Sequence, residues 1–425
     1  MKAWNKSVLI SLLCTLFHYY AFAVYAFSAV ILSPIFFHTE NFQLTRILGL
    51  ATFAITLLLK PVGSIIFGHI GDTYGRKLSL SCTLGAITLA TTCIGVIPPY
   101  DYIGSASGVL LIFCLVIQGL CMGGQYTSAI VFVQEHTSEK HAAFACGLIG
   151  SVGVLGTLFG TSISFLFYHR GSLGWEWRVP FLGSAIMGLS LVYAMRYIQE
   201  TPIFIEGKNI SRHQTLPFQD IVKNYKKALC AAIFISSIPV SMFYLATVYL
   251  PNFFESDNWI SNPLALSCLA QILCMFLIPF LGYFADKFGK EALLKTTSFL
   301  LILTPVFMFY ATKTLNSEAL VIIGIIFFCI LSSLYAGPAP AYLSQKFPAI
   351  GRCSGMGLGI SLGEGVIGGL SPLVCIILEQ VFHSKAVTGY YVMVLGVLSF
   401  LAILFSNKIT SVPSKTDMTE QEICT

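Results

Sequence analysis

Charge is what this 425-residue sequence has least of: Lys, Arg, Asp and Glu together make up 10% of it, against 56% hydrophobic residues. A water-soluble chain is normally about a quarter charged, so an ordinary solvated surface is excluded. The 13 Cys stand singly, with no C-x-x-C pair and no His at ligand spacing, which leaves neither a disulfide framework nor a metal site to expect. The net charge is +5 but is spread over short loops, so no basic face for nucleic acid forms. H-E-x-x-H and the nucleotide-binding P-loop are also missing, so neither an enzyme, a nucleotide-driven pump nor a bound cofactor is expected. Lys2 and Lys6 precede an apolar run as in a signal peptide. That run continues from Val8 to about Phe37 without a small-residue cleavage site, and reads as a retained first helix.

What the sequence does have is length in its apolar runs. Crossing a hydrocarbon core takes roughly 20 apolar residues at helical rise, and twelve such runs follow one another. They are placed at 8–37, 47–70, 78–98, 108–134, 142–167, 179–198, 228–254, 264–285, 292–312, 319–345, 354–378 and 388–406. The longest polar stretch, 199–227, divides the chain into an N-terminal six-helix bundle (1–198) and a C-terminal one (228–425) ending in a short tail from Asn407. The fold class expected is an all-α membrane protein of twelve transmembrane helices in two six-helix bundles, surrounded by lipid.

Cytoplasmic loops retain Lys and Arg during insertion. With the N-terminus inside, 18 of the 24 basic residues fall on the cytoplasmic side, five (Arg46, Arg170, Arg178, Lys313, Lys385) outside, and Lys60 within a span. Both termini and the central loop are therefore expected in the cytoplasm.

The two halves share one segment. After the second run the sequence reads GHIGDTYGRK (Gly68–Lys77), and after the eighth, 214 positions on, GYFADKFGKE (Gly282–Glu291). Asp72 matches Asp286, Gly75 matches Gly289, and Arg76 matches Lys290. Gly68, Gly71 and Gly75 allow a tight turn and close helix approach, while an Asp at a helix end can accept hydrogen bonds from a neighbouring helix N-terminus or a basic side chain. That arrangement would make a breakable latch. Arg76 and Lys77 have a simpler reading as topology determinants, although positive charge alone would not call for Asp72.

G-x-x-x-D-x-x-G-R-K between the second and third spans is the signature of the major facilitator superfamily, which the chain resembles over essentially its whole length. Phe22–Phe27, Lys60–Lys77, Gln118–Tyr126, Glu176–Phe181 and Glu200–Pro202 make it look like the metabolite:proton symporter branch that includes the proline/betaine and alpha-ketoglutarate carriers. The resemblance implies the major facilitator fold and a monomeric secondary transporter moving a small polar solute, with a proton, across a bacterial inner membrane. It also implies that Asp72, Arg76, Glu135, Asp286 and Lys290 form a gate holding the bundles together when the carrier faces outward. An uncoupled or sodium-coupled facilitator and a non-transporting sensor stay open as alternatives.

The chain departs from that branch where coupling is concerned. The branch's span-one motif E-W-F/Y-D-F becomes His18-Tyr19-Tyr20-Ala21-Phe22, its span-four Arg becomes Leu115, and its G-G-E-Y becomes Gly123-Gly124-Gln125-Tyr126. An ionisable group inside a span costs at least about 2.5–3.5 kcal/mol at the centre and marks function by default. Proton coupling needs such a group to change charge during the cycle, so His18, Glu364 and Lys60 are the coupling candidates. Each also has a structural reading: a packing His, a hydrogen-bonded Glu, or a Lys snorkelling to the cytoplasmic interface. Spans one and seven should face the midplane, which makes Tyr19, Tyr25, Gln125, Tyr126, Tyr244, Tyr249, Gln271 and Tyr335 cavity candidates. Their rings could cage a quaternary ammonium by cation–π attraction. The Gly-rich faces of spans four, five and eleven read as helix-packing architecture.

Overall fold

A computed structural model describes residues 6–37, 42–168, 175–208, 217–251, 263–315, 318–349, 351–384 and 386–406. The expected tail from Asn407 and Lys2, Arg170, Arg212, Lys385, Lys408 and Lys415 of the charge count lie outside the described residues. Helix is the only regular structure among the described residues, as it must be where backbone polar groups have no water to bond. Twelve helical spans are long and apolar enough to cross a membrane. In order they are Lys6–Ala29, Ala51–Thr73, Arg76–Val96, Ala106–Glu135, Glu139–Phe167, Trp175–Tyr197, Lys226–Tyr249, Ala265–Phe288, Lys290–Tyr310, Ala319–Ser344, Arg352–Phe382 and Val387–Ser406.

Several spans are interrupted, and the sequence explains most of the breaks. Pro61 has no N–H for the carbonyl four residues back, and the second span is split at Leu59 into Phe42–Leu58 and Lys60–Thr73. Pro338 divides the tenth in the same way, at Gly337, into Glu318–Ala336 and Pro338–Ser344. Two short π-helical segments, Leu245–Tyr249 at the end of span seven and Ser361–Gly368 inside span eleven, are further irregularities. Extra residues of this kind are common at functional sites, and Glu364 lies within the second one.

Most packing lies within spans one to six and within spans seven to twelve. Span five against span eight and span two against span eleven make the broad crossings between the sets. Both crossings rest on glycine. The Gly68 position faces the Ser354 backbone, Gly147 the Ile278 carbonyl and Gly282 the Ala143 carbonyl, and none has room for a Cβ. At Gly75 and Gly289 the need is conformational, with φ of 121° and 99°. The two copies of the repeated motif thus turn the chain in the same left-handed region, which favours glycine. Phe276, Phe280, Phe288 and Phe307 point outward, as expected of a lipid-facing surface. The central stretch carries two short helices, Pro202–Lys208 and Pro217–Asn224, and Ile221 of the second is buried against Gly351.

Candidate functional site

The repeated motif closes one end of the molecule. Asp72 Oδ1 accepts the backbone N–H of Cys353 at 3.1 Å, and Oδ2 accepts that of Ser354 at 2.8 Å, so the carboxylate caps the first turn of span eleven. Its counterpart Asp286 accepts the N–H groups of Ala143 (3.0 Å) and Phe144 (2.8 Å) at the start of span five. Each Asp thus belongs to one half and caps a helix of the other, where free N–H groups and the helix dipole favour a negative charge.

Basic residues complete each latch. Arg76, only 2% exposed, donates to the carbonyls of Gly71 (3.0 Å) and Ala349 (2.7 Å) and pairs with Glu135 at 3.2 Å and Asp72 at 3.8 Å. Glu135 also pairs with Arg352 of span eleven at 3.3 Å. On the other side Lys290 lies 3.7 Å from Asp286 and donates to the Glu139 carbonyl at 3.3 Å. A buried ion pair offers little net stability over an apolar contact, but breaking one leaves an uncompensated charge that costs several kcal/mol. The closed end is held by contacts of that kind.

Glu200 belongs to this region, although sequence reading gave it no role beyond a family motif. Its carboxylate accepts the N–H of Arg76 at 3.1 Å and that of Lys77 at 3.1 Å, capping span three from 123 or more residues away. It lies where a Cβ on Gly75 would sit. Phe204, four residues on, packs its ring 5.1 Å from the Arg76 guanidinium carbon. The short stretch after span six thereby braces the latch.

Beyond the latch lies a cavity of about 590 Å³ between the two sets of spans. On spans one, two, five, seven and eleven its wall residues lie in the part of each helix away from the latch. The wall is mostly apolar, and Tyr19, Lys60, Tyr126, Tyr244 and Glu364 are its ionisable members. Tyr19 and Tyr126 meet edge to face with ring centroids 6.0 Å apart. Lys60 is 8% and Glu364 6% exposed, and among the described residues neither has an ion pair or a side-chain hydrogen bond. They sense one another electrostatically, and Glu364 also acts on Tyr19, Tyr126 and Tyr244. The snorkelling alternative for Lys60 is corrected here: the side chain is buried and lines the cavity.

The remaining cavity candidates sit elsewhere, and the three tyrosines among them have their hydroxyls engaged in helix packing. Tyr25 bonds Thr52 at 2.6 Å, and Tyr249 bonds Thr388 at 2.9 Å and Glu379 at 3.4 Å. Tyr335 bonds Ser298 and Ser399, and Gln125 donates to Thr15 at 3.1 Å. Gln271 is half-buried off the cavity wall. His18 is 1% exposed directly behind Tyr19, with ring centroids 6.2 Å apart. Gly359-Ile360-Ser361-Leu362-Gly363 carries the letters of a serine-hydrolase elbow, but here it is buried continuous helix rather than the strand-to-helix turn that exposes such a serine.

A cavity between two sets of spans, closed at one end by interhelical caps and lined by Lys60 and Glu364 without an ion-pair partner, is the architecture of a secondary transporter. The chain belongs to the Major Facilitator Superfamily, whose family model matches residues 12–372. The glycine betaine/proline/ectoine/pipecolic acid transporter OusA of Dickeya dadantii is 27% identical, over 97% of this chain and 85% of that protein. The proline/betaine transporter of Escherichia coli K12 is 25% identical, over 93% and 82%. In fold, the chain is similar to the proton:xylose symporter XylE bound to 6-bromo-6-deoxy-D-glucose, with TM-score 0.73, 14% identity and 98% of both chains covered. The human organic anion transporter MFSD10 gives TM-score 0.65 at 13% identity, over 94% and 99%.

Proposed function

We propose that this chain takes up a small zwitterionic osmolyte of the proline or betaine type across a bacterial inner membrane, together with a proton. One observation carries the reading: Lys60 and Glu364 face the same cavity, buried, without ion-pair partners. Two unpaired charges in a low-dielectric wall are costly, and a ligand carrying both signs relieves both at once. The solute's carboxylate meets Lys60. Its cationic end lies among Tyr19, Tyr126 and Tyr244, whose ring faces attract an ammonium group, with Glu364 as counter-charge. The betaine and proline carried by OusA and by the Escherichia coli relative support this chemistry.

The distribution of Lys and Arg supports a cytoplasmic latch with both termini inside. With the latch shut and the cavity in the opposite half, the conformation is then the outward-facing one. Spans one to six and seven to twelve are the rocking units, and a single chain suffices.

The test is uptake by the full chain in proteoliposomes, with radiolabelled proline, glycine betaine, alpha-ketoglutarate and citrate. Accumulation of proline or glycine betaine against its gradient, collapsing with protonophore, is expected. Equilibration without accumulation would make the protein a facilitator, and preference for the dicarboxylates would remove the zwitterion.

A further inference from the structure

Ser7, Ser11, Thr15 and His18 follow one another at helical spacing along span one, each at most 1% exposed. Ser7 marks the latch end, where its hydroxyl accepts the Gln199 N–H at 3.1 Å. Thr15 donates to the Ser11 carbonyl and accepts from Gln125. Four buried atoms of this seam have no hydrogen-bond partner among the described residues: Ser11 Oγ, both ring nitrogens of His18, and Gln125 Oε1. Buried polar atoms are nearly always satisfied, by internal water where protein supplies nothing. An imidazole with both nitrogens unengaged, between such a seam and the cavity wall, is unusual as packing.

The charged neighbours of His18 are few. Lys60 of span two acts on it, Tyr19 of its own span flanks it, and Glu364 of span eleven reaches Lys60 and Tyr19 from the far wall. Glu364 cannot hold the transported proton and also balance the solute's cation, because the two would compete at one carboxylate and drive exchange rather than symport.

We infer that His18 carries the co-transported proton along a hydrated Ser11–Thr15–His18–Gln125 seam, and that Lys60 couples that proton to the solute's carboxylate. The inference rests on the symport reading above. A protonated His18 and the Lys60 ammonium repel one another. A carboxylate bound to Lys60 offsets that repulsion, so solute and proton favour each other's binding, as linkage requires. His18 takes the proton from the cavity side while the solute is bound, keeps it through the conformational change, and releases it toward the Ser11 side when the latch opens.

The experiment uses proteoliposomes with glycine betaine as probe and a trapped pH dye. Wild type is expected to move protons with glycine betaine. His18→Asn should keep glycine betaine exchange within about threefold and lose at least tenfold in proton movement and pH-driven accumulation. Ser11→Ala should shift the same two quantities in the same direction, more weakly. Undiminished proton movement in His18→Asn would overturn the assignment to His18 alone, leaving symport standing. Wild-type exchange without proton movement would remove the symport reading itself. Loss of exchange along with accumulation in both variants would make the seam mere packing and overturn the inference.

Discussion

Asp72 and Asp286, 214 positions apart, do the same thing in mirror-related places: each accepts two backbone N–H groups from the first turn of a helix in the opposite half. On the alternating-access reading proposed above, separation of the halves breaks both contacts, so each Asp stabilises the closed arrangement alone.

Asp72→Ala should therefore shift the conformational equilibrium toward the latch-open state. Charge-assisted hydrogen bonds are worth about 1.5–3 kcal/mol, a shift of roughly ten- to a hundredfold. Cys353 is a built-in reporter, since it is fully buried under Asp72 in the closed form. Its maleimide labelling rate, read from the peptide by mass spectrometry, should rise in Asp72→Ala and also in Asp286→Ala. Unchanged labelling in both would mean that the caps contribute nothing to closure.

Gly75→Ala should destabilise the fold more than Gly104→Ala. Both residues have positive φ, 121° and 60°, but a Cβ at Gly75 would strike the Glu200 carboxylate, while nothing lies within 4 Å at Gly104. Strain of this type costs about 1–3 kcal/mol, to which displacement of Glu200 adds the loss of a helix cap, about 0.5–2 kcal/mol. Thermal unfolding in detergent should rank wild type, then Gly104→Ala, then Gly75→Ala. Equal midpoints for the two variants would show that Glu200 simply moves aside.

How much of this was legible beforehand divides by range. The twelve spans and the correspondence of Asp72 with Asp286 could be read because apolar runs and a repeated motif are local signals. Glu200 escaped because its partners lie more than a hundred residues away and no spacing rule connects them. Pro61 was present as a signal for the break at Leu59, whereas the π segment around Glu364 had only its cluster of glycines. Sorting the tyrosines needed the structure, because a helix buried on all sides carries no amphipathic stripe to say which face meets the cavity. Tyr19 and Tyr244 line it, whereas Tyr25 and Tyr335 point into hydroxyl networks.

Lys60→Ala should weaken recognition of carboxylate-bearing solutes specifically. Removing Lys60, the one cation among the described residues of the cavity wall, leaves the carboxylate unpaired, and tenfold in apparent affinity corresponds to about 1.4 kcal/mol. The expected result is a rise of at least tenfold in KM for proline and glycine betaine, with choline, which lacks the carboxylate, gaining relative to both. A uniform loss across all three would indicate collapse of the cavity instead.

Tyr244 separates ring-face attraction from hydrogen bonding. Its side chain lines the cavity and feels Glu364, and an ammonium over a desolvated ring gains about 2 kcal/mol from the π face. Phe keeps that face and loses only the hydroxyl; Ala loses both. Tyr244→Phe should therefore transport glycine betaine with KM within about threefold of wild type, while Tyr244→Ala should raise it by at least tenfold. The same pair measured with proline, whose secondary ammonium can still donate hydrogen bonds, should show a smaller gap between the two variants. If Phe proves as damaging as Ala for glycine betaine, the hydroxyl is the working group, and the cage fails as an account of how a quaternary cation is held.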